Sequence, residues 1–265
     1  VLSYDTGEEA LTICNGYKDD DFLRLALLGR KLGRKVVVVI EKYSEIEPLL
    51  RLSAAMEVQP IIGLRIKMRV KTEGRWSESS GERAKFGLTI SEILNAIALI
   101  QERGYGDAIR LLHFHVGSQL SDIRFVREAV QEATRIYARL VKRGIPLEYL
   151  DIGGGLAVDY DGGKSSGHSS MNYTMDDYAN GVVSGVKQIC DQEEAPHPTL
   201  VTESGRAITA HHSCVVMRVM GEIANDANPI ATDPVDDEHI LVSNMRDLLA
   251  NLAEDQNYQE VYNEA

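Results

Sequence analysis

Three short stretches combine residue types able to do chemistry with neighbours that open space for a ligand. In LLHFHVGSQ, His113 and His115 stand two apart, followed by Gly117 and Ser118. In LDIGGG, Gly153, Gly154 and Gly155 follow an apolar run, and in TLVTESGR, Glu203 ends an apolar run and precedes Ser204, Gly205 and Arg206. Consecutive glycines let a backbone approach a ligand and leave N–H groups free to cradle a phosphate, although a tight turn would use the same residues. Glu203 and Arg206 could form an ion pair of structural use alone, or the carboxylate could hold a protonated ring nitrogen while the guanidinium meets an anion. An imidazole at a strand end can be a packed core group, half of a zinc pair whose third ligand is not evident, or a flat face stacked on an aromatic ligand, with Ser118 reaching a phosphate. Arg65 interrupts the apolar GLRI and must find a partner if buried. Lys85 in AKFG reads as a solvated loop charge, and His211 and His212 have nothing but adjacency to mark them.

These residues need elements to hold them, and apolar runs recur at suitable intervals: Leu11 to Cys14, Lys35 to Glu41, Pro60 to Ile66, Ile109 to Val116, Leu147 to Gly155 and Thr199 to Arg206. Between them, helical periodicity runs over Asp21 to Leu32, Glu45 to Met56, Ser91 to Glu102, Ile123 to Lys142 and Met175 to Ile189. Several runs are apolar at consecutive positions, as expected of strands in a parallel sheet covered on both faces. About six βα units fit either a doubly wound sheet or a partial (β/α)8 TIM barrel, and periodicity does not separate the two. Arg65, His115, the triple glycine and Glu203 all fall at C-terminal ends of the strand-like runs, the end on which βα barrels build active sites, so a partial barrel is the expected α/β fold. The Gly/Ser stretch from Asp161 to Ser170 reads as a mobile loop on that same face. After Glu222 the chain turns acidic and proline-interrupted, then amphipathic from Ile240 to Ala253. The expected division is a barrel part over 1–222 and an acidic linker with a helical extension over 223–265.

Composition narrows the partners. Acidic residues outnumber basic ones, 40 to 28, for a formal charge of −12, which disfavours nucleic acid and anionic membranes and suits a small cationic molecule better. The three cysteines are odd in number and widely spaced, as expected in a reduced, cytoplasmic compartment. The opening residues hold neither a basic leader nor an initiator Met, and no apolar run reaches the length of a membrane span. This is expected of a chain that begins inside a larger protein.

The pieces CNGYKD, GLRIK, KFGLT, LLHFHVGSQ, DIGGGLAVDYDG, NYTMDDYAN, PHPTLVTESGR and ITAHH, in this order, resemble the biosynthetic arginine decarboxylases of the alanine-racemase-like, fold type III pyridoxal-phosphate enzymes. The resemblance runs from about Leu11 to Glu222. ESGR followed by AHH, with a long stretch between VDY and NY, is closer to the arginine branch than to the EPGR of ornithine and diaminopimelate decarboxylases. It implies pyridoxal 5'-phosphate as cofactor, loss of carbon dioxide from L-arginine to give agmatine for putrescine and spermidine synthesis, and a homo-oligomer built from dimers. By resemblance, His115 stacks on the ring and Glu203 meets its nitrogen, as the catalytic pair. Ser118, Gly153, Gly154, Gly155, Ser204, Gly205 and Arg206 hold the phosphate, and Arg65 supports the ring's substituents. Substrate binding falls to Leu150, Asp151, Ile152, the three glycines, Leu156, Ala157, Val158, Asp159 and Tyr160. Magnesium accompanies many such enzymes, but no carboxylate cluster marks a site. The lysine that would attach the cofactor is expected on a strand before Val1, and a C-terminal β domain supplying a cysteine and a tyrosine is expected beyond this sequence, so the 265 residues alone are expected to be inactive. An ornithine or diaminopimelate decarboxylase, and a non-catalytic cofactor- or partner-binding homologue, are the competing readings.

Overall fold

The computed structural model describes residues 10–68, 85–221 and 238–250. Within them the chain alternates strand and helix: β1 (Leu11–Cys14), α1 (Asp20–Lys31), β2 (Lys35–Ile40), α2 (Ile46–Met56), β3 (Ile61–Arg65), α3 (Ile90–Glu102), β4 (Ile109–His113), α4 (Ile123–Lys142), β5 (Tyr149–Asp151), α5 (Met175–Gln192), β6 (Thr199–Val201), α6 (Gly205–Thr209) and α7 (Ile240–Ala250). Every neighbouring pair of strands is parallel, and their spatial order is their sequence order from β1 to β6.

That order separates the two architectures that periodicity leaves open. A doubly wound sheet reverses direction at a switch point, whereas a sheet that always adds the next strand on the same side puts every crossover helix on one face and curls toward a barrel. Here there is no reversal, so the sheet is a partial TIM barrel of six strands.

The strand sequence shows which face is which. In β2, Val36, Val38 and Ile40 join the large core shared with the helices, while Val37 and Val39 point to the other, concave side, where they meet Leu111 and the partly buried Leu11, Ile13, Ile61 and Tyr149. Gly63 serves that concave side, because an added Cβ would lie 2.9 Å from Leu111 Cδ2 and 3.0 Å from Val39 Cγ2. On the convex side α4 presents Val126, Ala129, Val130, Ala133 and Tyr137, buried at a helical repeat, and packs against α5. Capping boxes start two helices: Thr89 and Glu92 at α3, Thr174 and Asp177 at α5.

Three strands end earlier than their apolar runs suggest. β4 stops at His113, not Val116, β5 covers only Tyr149–Asp151, and β6 only Thr199–Val201 before the turn into α6. The residues trimmed from the runs leave the ladder to form the mouth of the sheet. The Gly/Ser stretch also differs from the mobile loop expected of it. Ser165 and Ser170 are fully buried, Ser165 N–H donates to Ser170 Oγ at 3.0 Å, Ser170 donates to Asp159 Oδ1 at 2.6 Å, and Ser121 donates to the Ser166 carbonyl at 2.6 Å. Composition there suits turns, but the serines bond to their own loop.

The amphipathic run expected from Ile240 to Ala253 is helical over Ile240–Ala250. The acidic linker over 222–237, residues 251–265, the loop around Trp76 and residues 1–9 lie outside the described residues. None of the described helices is long and apolar enough to cross a membrane, and among the described cysteines Cys14 and Cys190 are buried and Cys214 exposed, all unpaired.

Candidate active site

The C-terminal ends of the strands bring the expected residues to one place. Beyond β5 the backbone turns back through Gly153 at φ +66° and Gly155 at φ +102°, a region that side chains disfavour. There is also no room for side chains: an added Cβ at Gly153 would sit 2.4 Å from the Phe114 carbonyl oxygen, at Gly154 2.9 Å from the Glu203 carbonyl oxygen and 3.5 Å from His115 Nε2, and at Gly155 2.5 Å from the Gly117 carbonyl oxygen. The glycines thus let three strand-end loops close on one another, and Glu203 N–H donates to the Gly153 carbonyl at 2.9 Å. Gly153 N–H is taken by Asp151 Oδ1 at 2.9 Å, whereas the N–H groups of Gly154 and Gly155 meet no acceptor among the described residues.

The loop after β4 is laced to the loop after β5. Leu120 N–H donates to the Gly155 carbonyl at 2.9 Å, Gln119 exchanges bonds with Val158 at 2.7 and 3.1 Å, and Tyr173 Oη bridges the Leu120 carbonyl and Ala157 N–H. On the outer rim Arg206 donates to Ser118 Oγ at 2.7 Å and to Tyr160 Oη at 3.3 Å, so the three loops share one edge. Ser204 and Gly205 turn the chain into α6 on the same rim, with open space where a Gly205 side chain would be.

Two apart on a continuing strand, His113 and His115 would share a face, but the strand ends at His113 and the two rings take different partners. His113 is buried with Nδ1 2.9 Å from Asp151 Oδ2, whereas His115 is half-buried beside Gly154 and accepts from Gly117 N–H through Nδ1 at 3.0 Å. Burial, with the positive charge of Arg65 nearby, lowers His115 to about 4, so its imidazole is neutral near pH 7. A neutral flat ring suits stacking better than an imidazolium would.

Glu203 is half-buried, accepts from Asn15 Nδ2, and is raised above the usual carboxylate range by burial and by neighbouring Asp151. Arg65 does have its partner: Nη1 lies 2.8 Å from Glu41 Oε1, which also accepts from Gly16 N–H at 2.9 Å. Arg65 therefore serves as a paired strand-end charge that also acts on His115. Sequence reasoning missed Asn15, Glu41 and the Asp151 side chain as neighbours of the site. The signal for the first two was available, since each directly follows the end of its strand. Lys18, after β1, is buried and committed to Glu45 Oε2 at 3.5 Å and the Gly16 carbonyl. Lys85 is exposed, as a solvated loop charge should be.

The substrate stretch divides by burial. Leu150, Asp151, Ile152, Leu156, Ala157 and Val158 have buried side chains, leaving the backbone at Gly154 and Gly155 and the side chains of Asp159 and Tyr160 toward the rim. Among the described residues, His113, Asp151 and Glu203 supply the one trio of metal-ligand type, with one atom from each within 4.8 Å of the others. Only His113 of the two histidines belongs to it, so the trio is not the histidine pair completed by a third ligand. A cavity of about 510 Å³ lies elsewhere, at the N-terminal strand ends among Leu11, Lys35, Ile61, Arg110, Glu148 and Tyr149. That end of a βα barrel serves stability, so the site is assigned to the opposite end, where the polar groups converge.

Fold and mouth together define a βα-barrel domain whose polar groups converge at the C-terminal strand ends. The chain belongs to the pyridoxal-dependent decarboxylases, whose pyridoxal binding domain matches residues 1–210. Its relatives include the biosynthetic arginine decarboxylase of Thermosynechococcus vestitus, 44% identical over 97% of this chain and 40% of that protein. Another is that of Rhodopirellula baltica, 51% identical over 79% of this chain and 31% of that protein. The crystal structure of the Campylobacter jejuni biosynthetic arginine decarboxylase superposes with a TM-score of 0.67 at 29% identity, covering 93% of this chain and 40% of that one. A Helicobacter pylori diaminopimelate decarboxylase shares the fold at TM-score 0.59 and 24% identity, over 72% of this chain and 44% of that one. The chain thus spans between about a third and two-fifths of the length of these arginine decarboxylases.

Proposed function

We propose that this chain is the cofactor-holding part of an arginine decarboxylase, releasing the α-carboxylate of L-arginine as carbon dioxide and leaving agmatine, a precursor for polyamines. The observation that carries the reading is the closure of three strand ends at Gly154, with the Glu203 backbone 2.9 Å and His115 Nε2 3.5 Å from where its Cβ would be. The residues fit pyridoxal phosphate on their own chemistry. Glu203 offers a carboxylate of raised proton affinity to a basic ring nitrogen, the neutral His115 ring offers a face, and the N–H groups of Gly154 and Gly155, without an acceptor among the described residues, and the Arg206–Ser118 pair offer donors to an anion. When bound, pyridoxal phosphate supplies an electron sink conjugated to the amino acid's Cα.

Within that site Glu203 keeps a proton at the ring nitrogen, and Asn15 fixes which carboxylate oxygen is left to do so. His115 fixes the plane of the ring, Arg65 holds neighbouring charge in place through Glu41, and Ser118, Ser204, Gly205 and Arg206 anchor the phosphate. Asp159 and Tyr160 then border the amino acid. Magnesium is not part of this reading, since Glu203 accepts from Asn15 and Asp151 from the Gly153 N–H. A cytoplasmic homo-oligomer acting on a small amino acid, independent of nucleic acid and membranes, completes the proposal. So does the division into a barrel part over 1–222 and an extension over 223–265.

The test is carbon dioxide release from carboxyl-labelled arginine, ornithine and diaminopimelate, using the protein encoded by the longest reading frame that contains this sequence. Arginine should be consumed at least about tenfold faster than the others with agmatine as product, and E203Q should cut the rate roughly 100-fold or more. Turnover of ornithine or diaminopimelate with arginine untouched would overturn the assignment.

A further inference from the structure

Behind the mouth, ionisable side chains from three strand ends meet, two of them out of solvent and the third half-buried. His113 closes β4, Asp151 closes β5 and Glu203 follows β6, and one polar atom from each lies within 4.8 Å of the others. Asp151 belongs to the stretch expected to touch substrate, yet its side chain is 0% exposed, so it cannot do so directly. It receives the Gly153 N–H at Oδ1 and faces His113 Nδ1 at Oδ2. The 2.9 Å approach to His113 is of ion-pair length but poorly angled, leaving His113 Nδ1 and Asp151 Oδ2 without a well-formed hydrogen bond. Glu203 has one neutral partner, Asn15.

We propose that Asp151, tethered by His113 and the Gly153 N–H, is a positioning residue whose charge makes Glu203 hold a proton in the ligand-free site and give it to the ring nitrogen of an arriving pyridoxal phosphate. This rests on the mouth being a pyridoxal-phosphate site. In the transfer the Glu203 O–H bond breaks and a ring N–H bond forms, leaving a carboxylate against a pyridinium. No outside acid takes part, and the total charge is unchanged. Two carboxyl groups this close and this buried do not both ionise cheaply, so one proton is shared between them. Asp151 takes the Gly153 N–H at Oδ1 and lies 2.9 Å from His113 Nδ1 at Oδ2, whereas Glu203 meets one neutral donor, Asn15, so the proton is assigned to Glu203. Burial and the Asp151 charge both act on Glu203 in that direction, against His113 and Asn15. The groups facing Glu203 come from three sides: Asn15 after β1, His113 at the end of β4 and Asp151 at the end of β5. Arg65 and Glu41, at the ends of β3 and β2, act on His115 beside it.

The experiment uses the protein from the longest reading frame, first cleared of cofactor. Infrared difference spectra should show a protonated carboxyl band absent from E203Q, with a titration midpoint about one pH unit or more above an ordinary glutamate. Adding pyridoxal phosphate labelled with 15N in the ring should abolish the band, while the ring nitrogen resonates as protonated. D151N keeps the Oδ1 acceptor and removes the charge, so the midpoint should drop toward the ordinary value. If D151N does not fold, the wild-type titration decides alone. An ordinary midpoint in the wild type, or one unmoved in a folded D151N, overturns the inference. Cofactor binding with a protonated ring but no band in the empty protein overturns the proton transfer and leaves the cofactor reading standing. A band with no cofactor binding overturns both.

Discussion

The imidazole of His115 is neutral at pH 7 because it is buried beside Arg65, and that neutrality has a consequence for stability. Its folded value of about 4 lies below its ordinary 6.5, so the unfolded chain takes up a proton that the folded one refuses as pH falls between those values. The stability tied to His115 is therefore present above pH 6.5 and is lost progressively down to about pH 4. Denaturant titrations of wild type and H115F across that window should show a shallower loss in the variant; parallel curves would mean that the ring is solvated. The glycines separate two kinds of cost. Gly162 has φ +77° with open space, so Gly162→Ala should cost about 1 kcal/mol, whereas Gly153→Ala meets the Phe114 carbonyl as well and should cost several times more. Thermal unfolding of the pair tests this, and equal losses would contradict the close approach. At this scale the sequence was legible in residue identity more than in contact. His115, Ser118, Glu203 and Arg206 reach one rim, but that Asp151 turns inward to His113 depends on where β4 and β5 stop, which apolar runs do not mark.

At the scale of elements, the strand ends are set by the loops that leave them. α5 begins at Thr174, whose hydroxyl accepts from Asp177 N–H at 3.1 Å while Asp177 returns a bond to Thr174 N–H at 2.9 Å. Thr174→Ala should cost about 1 kcal/mol and a few degrees of melting temperature. It should also loosen the neighbouring Tyr173, whose hydroxyl joins the two mouth loops. Hydrogen exchange at Leu120 and Ala157 would report that loosening, and unchanged exchange there would show that the cap and the mouth are independent. Helices were read from sequence within a few residues, because a 3.6-residue apolar repeat is a local signal. Strands were read too long: LLHFHV and LDIGGG stay apolar or small past the last ladder bond, and only backbone direction, turned by Gly153 and Gly155, ends them.

At the scale of the molecule, strand order carried what periodicity could not. The same six βα units would fit a doubly wound sheet, and the unreversed order β1 to β6 makes them a partial barrel with one polar end. Long-range pairing of this kind is set by packing across the sheet, as where Gly63 makes room for Leu111, and not by any local pattern. A crystal structure of the protein with pyridoxal phosphate bound decides whether this polar end is a single site for that molecule. The ring nitrogen should face Glu203, the ring should lie against His115, and the phosphate should sit at the Gly154 and Gly155 N–H groups beside Ser118 and Arg206. A ring lodged in the 510 Å³ cavity at the other end of the strands, or a phosphate remote from the glycines, would contradict it.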